Sequence, residues 1–204
     1  MAFTGAALDA ALAGQGKTVV LCGSMRPLGE AGSDAPGNLA LALKTARTAK
    51  PGVVLAFDGQ MLPAGALTKV HSHGDAAFAA AGDPVLPAPA LARRFDPNLA
   101  LAIVTLSPGL SAASLTAMLD SLDGAVLRVF GAGTVPAQLS DAITAAAPRC
   151  AMVAVSQCSA GGLSPGAYAA GAVLWAAGVQ NGGLMSPEQA LTRLWLRLSG
   201  ASSA

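Results

Sequence analysis

Short, uniformly apolar runs alternate along this chain with longer segments whose apolar residues recur at helical spacing. Such runs are typical of parallel strands that are covered on both faces. The predicted strands cover residues 18–22, 53–57, 101–106, 125–130 and 151–155, and the predicted helices cover 2–14, 36–50, 111–122, 136–147, 168–177 and 187–198. This alternation predicts an α/β fold with a parallel sheet and right-handed crossovers.

The part of the chain before residue 82 supplies only two of these strands. Its predicted helix over 36–50 has an apolar face made of Leu39, Leu43 and Ala46. Residues 66–74 are predicted to form an irregular polar segment, which is followed by a short alanine-rich helix ending at Ala81. Because two parallel strands cannot cover the helices around them, we expect one of two arrangements. Either this part packs as an appendage on the rest, or its sheet continues in strands upstream of Met1.

Prolines mark a boundary between two parts of the chain. Pro84, Pro87, Pro89 and Pro97 fall close together, and prolines at this density disfavour regular structure. We therefore predict a linker over residues 83–99. It separates a first domain over 1–82 from a smaller α/β domain over 100–204.

Composition excludes several classes of partner. The apolar fraction is 53% and the mean hydropathy is +0.55, but most apolar residues are alanine, and the longest apolar run, 167–179, is interrupted by glycines and too short to span a membrane. With 12 Lys and Arg against 11 Asp and Glu, the chain lacks the excess of positive charge that binding to nucleic acid or an anionic membrane requires. Three cysteines at unrelated spacing predict free thiols in a reducing, cytoplasmic setting, without a disulfide framework or a zinc site.

The loop after the first predicted strand is the first candidate for a functional site. Ligands of open α/β sheets bind outside the carboxyl ends of the strands, where this loop lies. Ser33 and Asp34 are suited to cap the following helix, and Pro36 fits its first turn. No glycine lies two residues after Ser24 and no histidine is evident in order as the partner of a triad, so this is not a nucleophile elbow. Ser24 offers either a main-chain contact to a small substrate or plain loop structure.

Three further positions carry candidate chemistry. Lys69 lies beside Thr68 and two histidines in the predicted polar segment, where a lysine near apolar groups serves as a base; the alternative is a solvated charge. Residues 131–136 follow a strand and open a predicted helix, as in a nucleotide-binding loop, but Pro136 replaces the third glycine. Cys158 follows a strand without a histidine nearby, which favours an unreactive thiol over a nucleophile.

Several segments together resemble the cytosolic type of bacterial L-asparaginase. The family's Thr-Gly-Ser-Met-Arg-Pro and Ser-Asp-Gly-Pro-x-Asn-Leu are similar to residues 22–27 and 33–39. The matching segments continue in order with 68–73, 77–78, 131–136, 156–158, Tyr168 and 185–194. Cys22 and Ala35 depart from the family pattern. The resemblance covers nearly the whole chain.

The resemblance implies a Rossmann-like, two-domain α/β hydrolase that converts L-asparagine, with L-glutamine as a second possible substrate, to the acid and ammonia. It implies a homodimer or tetramer, and neither metal nor cofactor. The family's nucleophile is a threonine near its amino terminus, activated through a second threonine, an aspartate and a lysine. Lys69 matches that catalytic lysine, Ser24 matches a position beside the substrate amide, and Thr134 matches one that faces the neighbouring subunit's site.

One departure changes the functional prediction. The family's Gly-Thr-Asp-Thr-Met motif precedes the helix that here begins at Met1, so we expect that the chain lacks the amino-terminal third of the family and is inactive by itself. The alternative is a non-catalytic subunit that binds an amino acid or regulates a longer partner. A nucleotide-binding domain at residues 131–136 is a third hypothesis.

Overall fold

The computed structural model describes residues 1–81 and 94–201. The chain divides into two compact units, Met1–Arg93 and Arg94–Ala204. The predicted linker over 83–99 lies for most of its length outside the described residues, and its boundaries stay a prediction.

The first unit contains a small mixed sheet and a separate β-hairpin. Its helices and strands in chain order are α1 (Ala2–Leu12), β1 (Thr18–Cys22), α2 (Ala35–Thr48), β2 (Gly52–Phe57), β3 (Gln60–Pro63), β4 (Leu67–Lys69) and β5 (Phe78–Ala80). Strand β1 runs parallel to β2, and β3 runs antiparallel to β2 on its other side. Strands β4 and β5 pair antiparallel with each other, and a 3₁₀ turn at Ala64–Ala66 leads into β4.

Alternate residues of β2 build the core of this unit. Leu55 and Phe57 are buried, together with Leu67 from β4, and α1 packs over them. The Phe78 ring packs edge-on against Phe57, with ring centroids 5.2 Å apart. The hairpin is therefore attached to the sheet through an aromatic pair.

Two sequence-based predictions for the first unit are wrong. The unit has more than two strands, because Asp58 and Gly59 both adopt positive φ angles (47° and 69°) and turn the chain back into β3. A two-residue Asp-Gly turn of this kind matches the twist of a hairpin. The predicted alanine-rich helix ending at Ala81 is strand β5, since Phe78 is anchored on Phe57 and the backbone of 78–80 pairs with β4.

Helix α2 buries a different face from the one that its leucines suggested, displaced by one residue or about 100° around the helix axis. Asn38, Ala42 and Thr45 are the buried residues of the helix, whereas Leu39 and Leu43 are 49% and 62% exposed. The buried set has the same i, i+4, i+7 spacing but is small and polar. The helix therefore packs on β1 and β2 through short side chains whose polar atoms find partners inside the unit.

The second unit is a parallel sheet covered on both faces by helices. Its elements are β6 (Leu101–Thr105), α3 (Ala112–Asp120), β7 (Gly124–Val129), α4 (Ser140–Ala146), β8 (Ala151–Ser156), α5 (Ala172–Ala176), β9 (Gln180–Asn181) and α6 (Pro187–Ala201). The strand order is β6-β7-β8-β9, and every pair is parallel. Leu115, Leu127 and Ile143 lie in the larger core on one face, and Val126 and Leu194 lie in the core beneath α6 on the other.

The predicted α/β fold with a parallel sheet is confirmed, with changes in detail. The predicted helices over 136–147 and 168–177 begin as 3₁₀ turns, at Ala137–Leu139 and Ala169–Gly171, and become α-helical only afterwards. Strand β9 was not predicted, because two exposed polar residues carry no strand pattern. In the part of the chain that the structure describes, no helix is long and apolar enough to cross a membrane.

Candidate functional site

The β1–α2 loop, residues 23–34, leaves the carboxyl end of β1 and carries Ser24. Asp34 holds the start of this loop through its side chain. One carboxylate oxygen accepts the backbone N–H groups of Met25 (3.0 Å) and Arg26 (2.9 Å), and the other also accepts that of Met25 (2.9 Å). Asp34 precedes α2 but makes no capping bond to it with its side chain, so the sequence-based capping role is wrong for this residue. Its carboxylate is used for the loop instead.

Asn38 connects this loop to the neighbouring strand. Its side chain is 3% exposed, and its amide nitrogen donates to the Gly23 carbonyl (2.9 Å) and to the Asp34 carboxylate (2.9 Å). Its amide oxygen accepts the backbone N–H of Asp58 (2.9 Å), just beyond the end of β2. Every hydrogen-bonding group of this buried amide is engaged, as burial of a polar group requires.

The same contacts set the charge of Asp34. Burial by itself raises the pKa of this carboxyl, but hydrogen bonds from the backbone N–H groups of Arg26, Met25 and Asp34 and from the Asn38 side chain outweigh it, so the pKa lies below its ordinary value. Asp34 is therefore an anion at neutral pH. A carboxylate in this position serves as an acceptor for the loop backbone and not as an acid.

Lys69 is the last residue of β4, and not part of an irregular loop as the sequence suggested. Its side chain is exposed, and Nζ lies 5.9 Å from the centroid of the Phe78 ring on the paired strand. Within residues 1–81 and 94–201, the Lys69 side chain makes no hydrogen bond or ion pair. Strand pairing fixes its backbone, while the ammonium is free to meet a substrate or a further protein group.

The segment after β4 lies close to the β1–α2 loop. Arg26 from that loop approaches Asp75 with 3.5 Å between guanidinium and carboxylate, a contact in which both side chains are about half exposed. The ring Nδ1 of His71 accepts the backbone N–H groups of His73 (3.0 Å) and Gly74 (2.6 Å), which closes the turn between β4 and β5. Ser24 and Lys69 thus lie on segments joined by the Arg26–Asp75 ion pair.

Thr134 lies in a tight turn of the second unit. Its backbone exchanges two hydrogen bonds with Phe130 (3.0 and 2.9 Å), and Gly131 and Gly133 adopt positive φ angles of 47° and 125°. Residues 131–136 therefore close a loop and do not open an α-helix directly, so the helix start that a nucleotide-binding loop needs is absent here. This removes the structural basis of the nucleotide hypothesis.

Ser156 and Cys158 lie beside the same turn. The Ser156 hydroxyl donates to the Gly131 carbonyl (2.7 Å) and accepts the Cys158 backbone N–H (3.0 Å). Cys158 is exposed. Within the described ranges, no group of three or more His, Cys, Asp or Glu side chains is arranged to hold a metal ion.

Family models match both units in order. Residues 1–91 match the amino-terminal asparaginase domain, and residues 100–204 match the glutaminase/asparaginase C-terminal domain. The chain belongs to the asparaginase family. The predicted recognition is confirmed, and so is the fold class.

Individual members of the asparaginase family are similar over nearly all of this chain. The L-asparaginase of Thermococcus kodakarensis is 35% identical over 95% of the chain, and L-asparaginase 1 of Escherichia coli is 33% identical over 98%. The chain spans only 65% of the length of each relative. Among solved structures, the T. kodakarensis enzyme has a TM-score of 0.84 at 32% identity, covering 97% of this chain and 66% of that one. L-asparaginase I of Vibrio cholerae has a TM-score of 0.83 at 27% identity, covering 98% and 67%.

Membership of the asparaginase family leaves the site assignments of Lys69, Ser24 and Thr134 as predictions. Asn38 was not predicted as a site residue, although it lies within the family motif over residues 33–39. The available signal was an asparagine in the first turn of a predicted helix, outside the face formed by Leu39, Leu43 and Ala46. A buried asparagine needs partners, and here the partners are the ends of two strands.

Proposed function

We propose that this chain is part of an L-asparaginase-type amidohydrolase that converts L-asparagine to L-aspartate and ammonia. The observation that carries the proposal is the match of both units, in order and over almost the whole chain, to the two domains of the family. L-Glutamine is the second substrate to test. The resemblance further supports a homodimer or tetramer, and similarity to E. coli L-asparaginase 1 together with free cysteines supports a cytoplasmic location.

Lys69 is the proposed proton carrier of the reaction. The proton of a threonine hydroxyl passes toward the lysine amine, and the threonine oxygen forms a C–O bond to the amide carbon of the substrate. The C–N bond then breaks, and the nitrogen takes up a proton and leaves as ammonia. Water hydrolyses the resulting ester and releases aspartate. The Phe78 ring on the paired strand lies 5.9 Å from Nζ and gives the lysine side chain a contact at the end of β4.

Ser24 and Thr134 are the proposed binding residues. Ser24 would contact the substrate amide from the carboxyl end of β1, the edge of an α/β sheet where ligands bind. Thr134, held by its two backbone hydrogen bonds to Phe130, would face the site of a neighbouring subunit. Neither residue is proposed as the nucleophile. In the described structure Lys69 hydrogen-bonds to no hydroxyl, so we expect no turnover by the chain alone.

An ammonia-release assay with L-asparagine tests this proposal. The 204-residue chain alone should release no more ammonia than its Lys69→Met variant. Co-expression with the amino-terminal segment of an L-asparaginase, up to and including the family's Gly-Thr-Asp-Thr motif, should restore release to the wild type but not to Lys69→Met. Lys44→Met, which removes an exposed lysine from α2, is the matched control and should respond like the wild type. Turnover by the chain alone that survives Lys69→Met would contradict the role of Lys69.

A non-catalytic, regulatory subunit is the second candidate function. The specific observation in its favour is the outward face of α2, where Leu39 and Leu43 are exposed beside the half-buried strand β1. Such a chain would associate with a longer asparaginase. Co-purification with a full-length family member, at a fixed ratio and without activity of its own, distinguishes this candidate from the first.

A further inference from the structure

Ser24 is held from both sides by two residues that the reaction itself does not use. The carbonyl of the preceding residue, Gly23, accepts a hydrogen bond from Asn38, and the N–H of the following residue, Met25, donates to Asp34. Asn38 and Asp34 are hydrogen-bonded to each other at 2.9 Å. The two peptide groups that flank Ser24 therefore have fixed orientations, although the rest of the loop is largely exposed.

Asn38 also connects the backbone at Ser24 to the end of strand β2. Its amide oxygen accepts the N–H of Asp58, the only described residue other than glycine with a positive φ angle (47°). An aspartate in this conformation is uncommon and needs support from its surroundings. One buried side chain thus fixes the carboxyl ends of β1 and β2 together, at the sheet edge where the proposed substrate binds.

We propose that Asp34 and Asn38 are positioning residues, which hold Ser24 in the orientation that binds the substrate or product amino acid. This inference rests on the proposed function, because Ser24 is the proposed contact. The physical basis is preorganisation: a loop that is already ordered loses less conformational entropy when the ligand binds. Neither side chain needs to touch the ligand for its removal to weaken binding.

Calorimetric titration with L-aspartate, the product, tests the proposal without requiring turnover. Asn38→Ala removes three hydrogen bonds, and we expect a dissociation constant about tenfold weaker. Asn38→Leu keeps roughly the size of the side chain and adds no charge beside Asp34 but loses all three hydrogen bonds, so it should also bind weakly, and it provides a second variant if Asn38→Ala unfolds. Thr45→Val is the matched control, since Thr45 is 1% exposed on the same face of α2 and contacts Met61, not the loop.

A double-mutant cycle separates positioning from general destabilisation. If Asn38 acts through Ser24, the double variant Ser24→Ala/Asn38→Ala should bind no more weakly than the weaker of the two single variants. Combining Ser24→Ala with Thr45→Val should give additive effects. Additive effects for Ser24 and Asn38, or dissociation constants of both Asn38 variants within about twofold of the wild type, would overturn the proposal.

Failure of the proposed function has a different signature. In that case the wild-type chain binds neither L-aspartate nor L-asparagine, and hydrogen exchange at the Met25, Arg26 and Asp58 amides decides whether the loop is held. Faster exchange at these amides in Asn38→Ala and Asp34→Ala, but not in Thr45→Val, supports the positioning role. Unchanged exchange at all three amides overturns it.

Discussion

Cys150 differs from the other two cysteines in its surroundings, although all three thiols are free. It is 1% exposed at the start of β8, whereas Cys22 and Cys158 are exposed at the ends of β1 and β8. Burial raises the pKa of the Cys150 thiol, with a further increase from Asp123 that opposes a decrease from Arg149. Because the thiolate is the reactive form, Cys150 is both shielded and protonated at neutral pH.

We therefore predict that iodoacetamide modifies two of the three cysteines in the folded chain. Cys22 and Cys158 should be labelled at neutral pH, and Cys150 only after unfolding in urea. Mass spectrometry of peptides from native and urea-treated samples measures this directly. Labelling of Cys150 at the same rate as Cys158 in the absence of urea would contradict the burial of β8 in the second unit.

In helix α2, the apolar periodicity correctly predicted the helix but not which of its faces is buried. Leu39, Leu43 and Ala46 fit the amphipathic pattern, yet the helix buries Asn38, Ala42 and Thr45. The polar pair is accommodated because Asn38 is fully hydrogen-bonded and the Thr45 hydroxyl lies 3.0 Å from the Met61 sulfur. The small Ala42 lies between them. Specific hydrogen bonds at the strand ends, which no periodicity reports, decide the orientation.

This orientation predicts that Leu43 tolerates a charge. Leu43→Lys should change the free energy of unfolding by no more than about 0.5 kcal/mol, because the side chain is 62% exposed. Leu55→Ala, at a fully buried position of β2 in the same unit, should cost about 2–5 kcal/mol. Urea unfolding of the two variants beside the wild type measures both values. A large loss for Leu43→Lys would show that its face of α2 is covered in solution.

The elements that the sequence predicted well are those with long, regular patterns. All five predicted strands are present, since uniformly apolar runs have few alternatives in an α/β chain. The missed hairpin between β2 and β3 was predictable, because Asp58-Gly59 between a strand and a short polar run is a hairpin signal. The strand Phe78–Ala80 was not predictable locally, because its partner and the Phe57 ring that anchors it are brought close only by the fold.

The candidate site was predictable in its components but not in its connections. The end of the first predicted strand and the start of the following helix placed Ser24 and Asp34 in the β1–α2 loop. No local pattern showed that the Asp34 carboxylate would accept the backbone N–H groups of Met25 and Arg26. A capping role would instead have used the backbone N–H groups in the first turn of α2. The contribution of Asn38 depends on Asp58, twenty residues further along the chain. Hydrogen bonds between strand ends are set by the whole unit, so they follow from the structure alone.

Strand β1 has an unpaired hydrogen-bonding edge in the described structure. In the described part of the chain, β1 pairs with β2 alone. The Lys17 carbonyl accepts the Gly52 N–H (2.9 Å), and alternate residues of a strand direct their backbone groups to the same side. Val19 therefore faces β2, while the N–H and C=O of Val20 face outward. Unpaired strand edges of this kind can pair with strands of another chain.

We predict that the 204-residue chain associates in a concentration-dependent way through this edge. Val20→Pro removes an outward-facing N–H and obstructs pairing, so it should shift the population toward monomer in sedimentation velocity. Val19→Pro removes an N–H that faces β2, so it should instead lower the urea midpoint. A dimer or tetramer formed through other surfaces would persist in Val20→Pro. A monomer at every concentration, or association equally strong in Val20→Pro, would contradict pairing at β1, because only the edge mechanism requires that one outward amide.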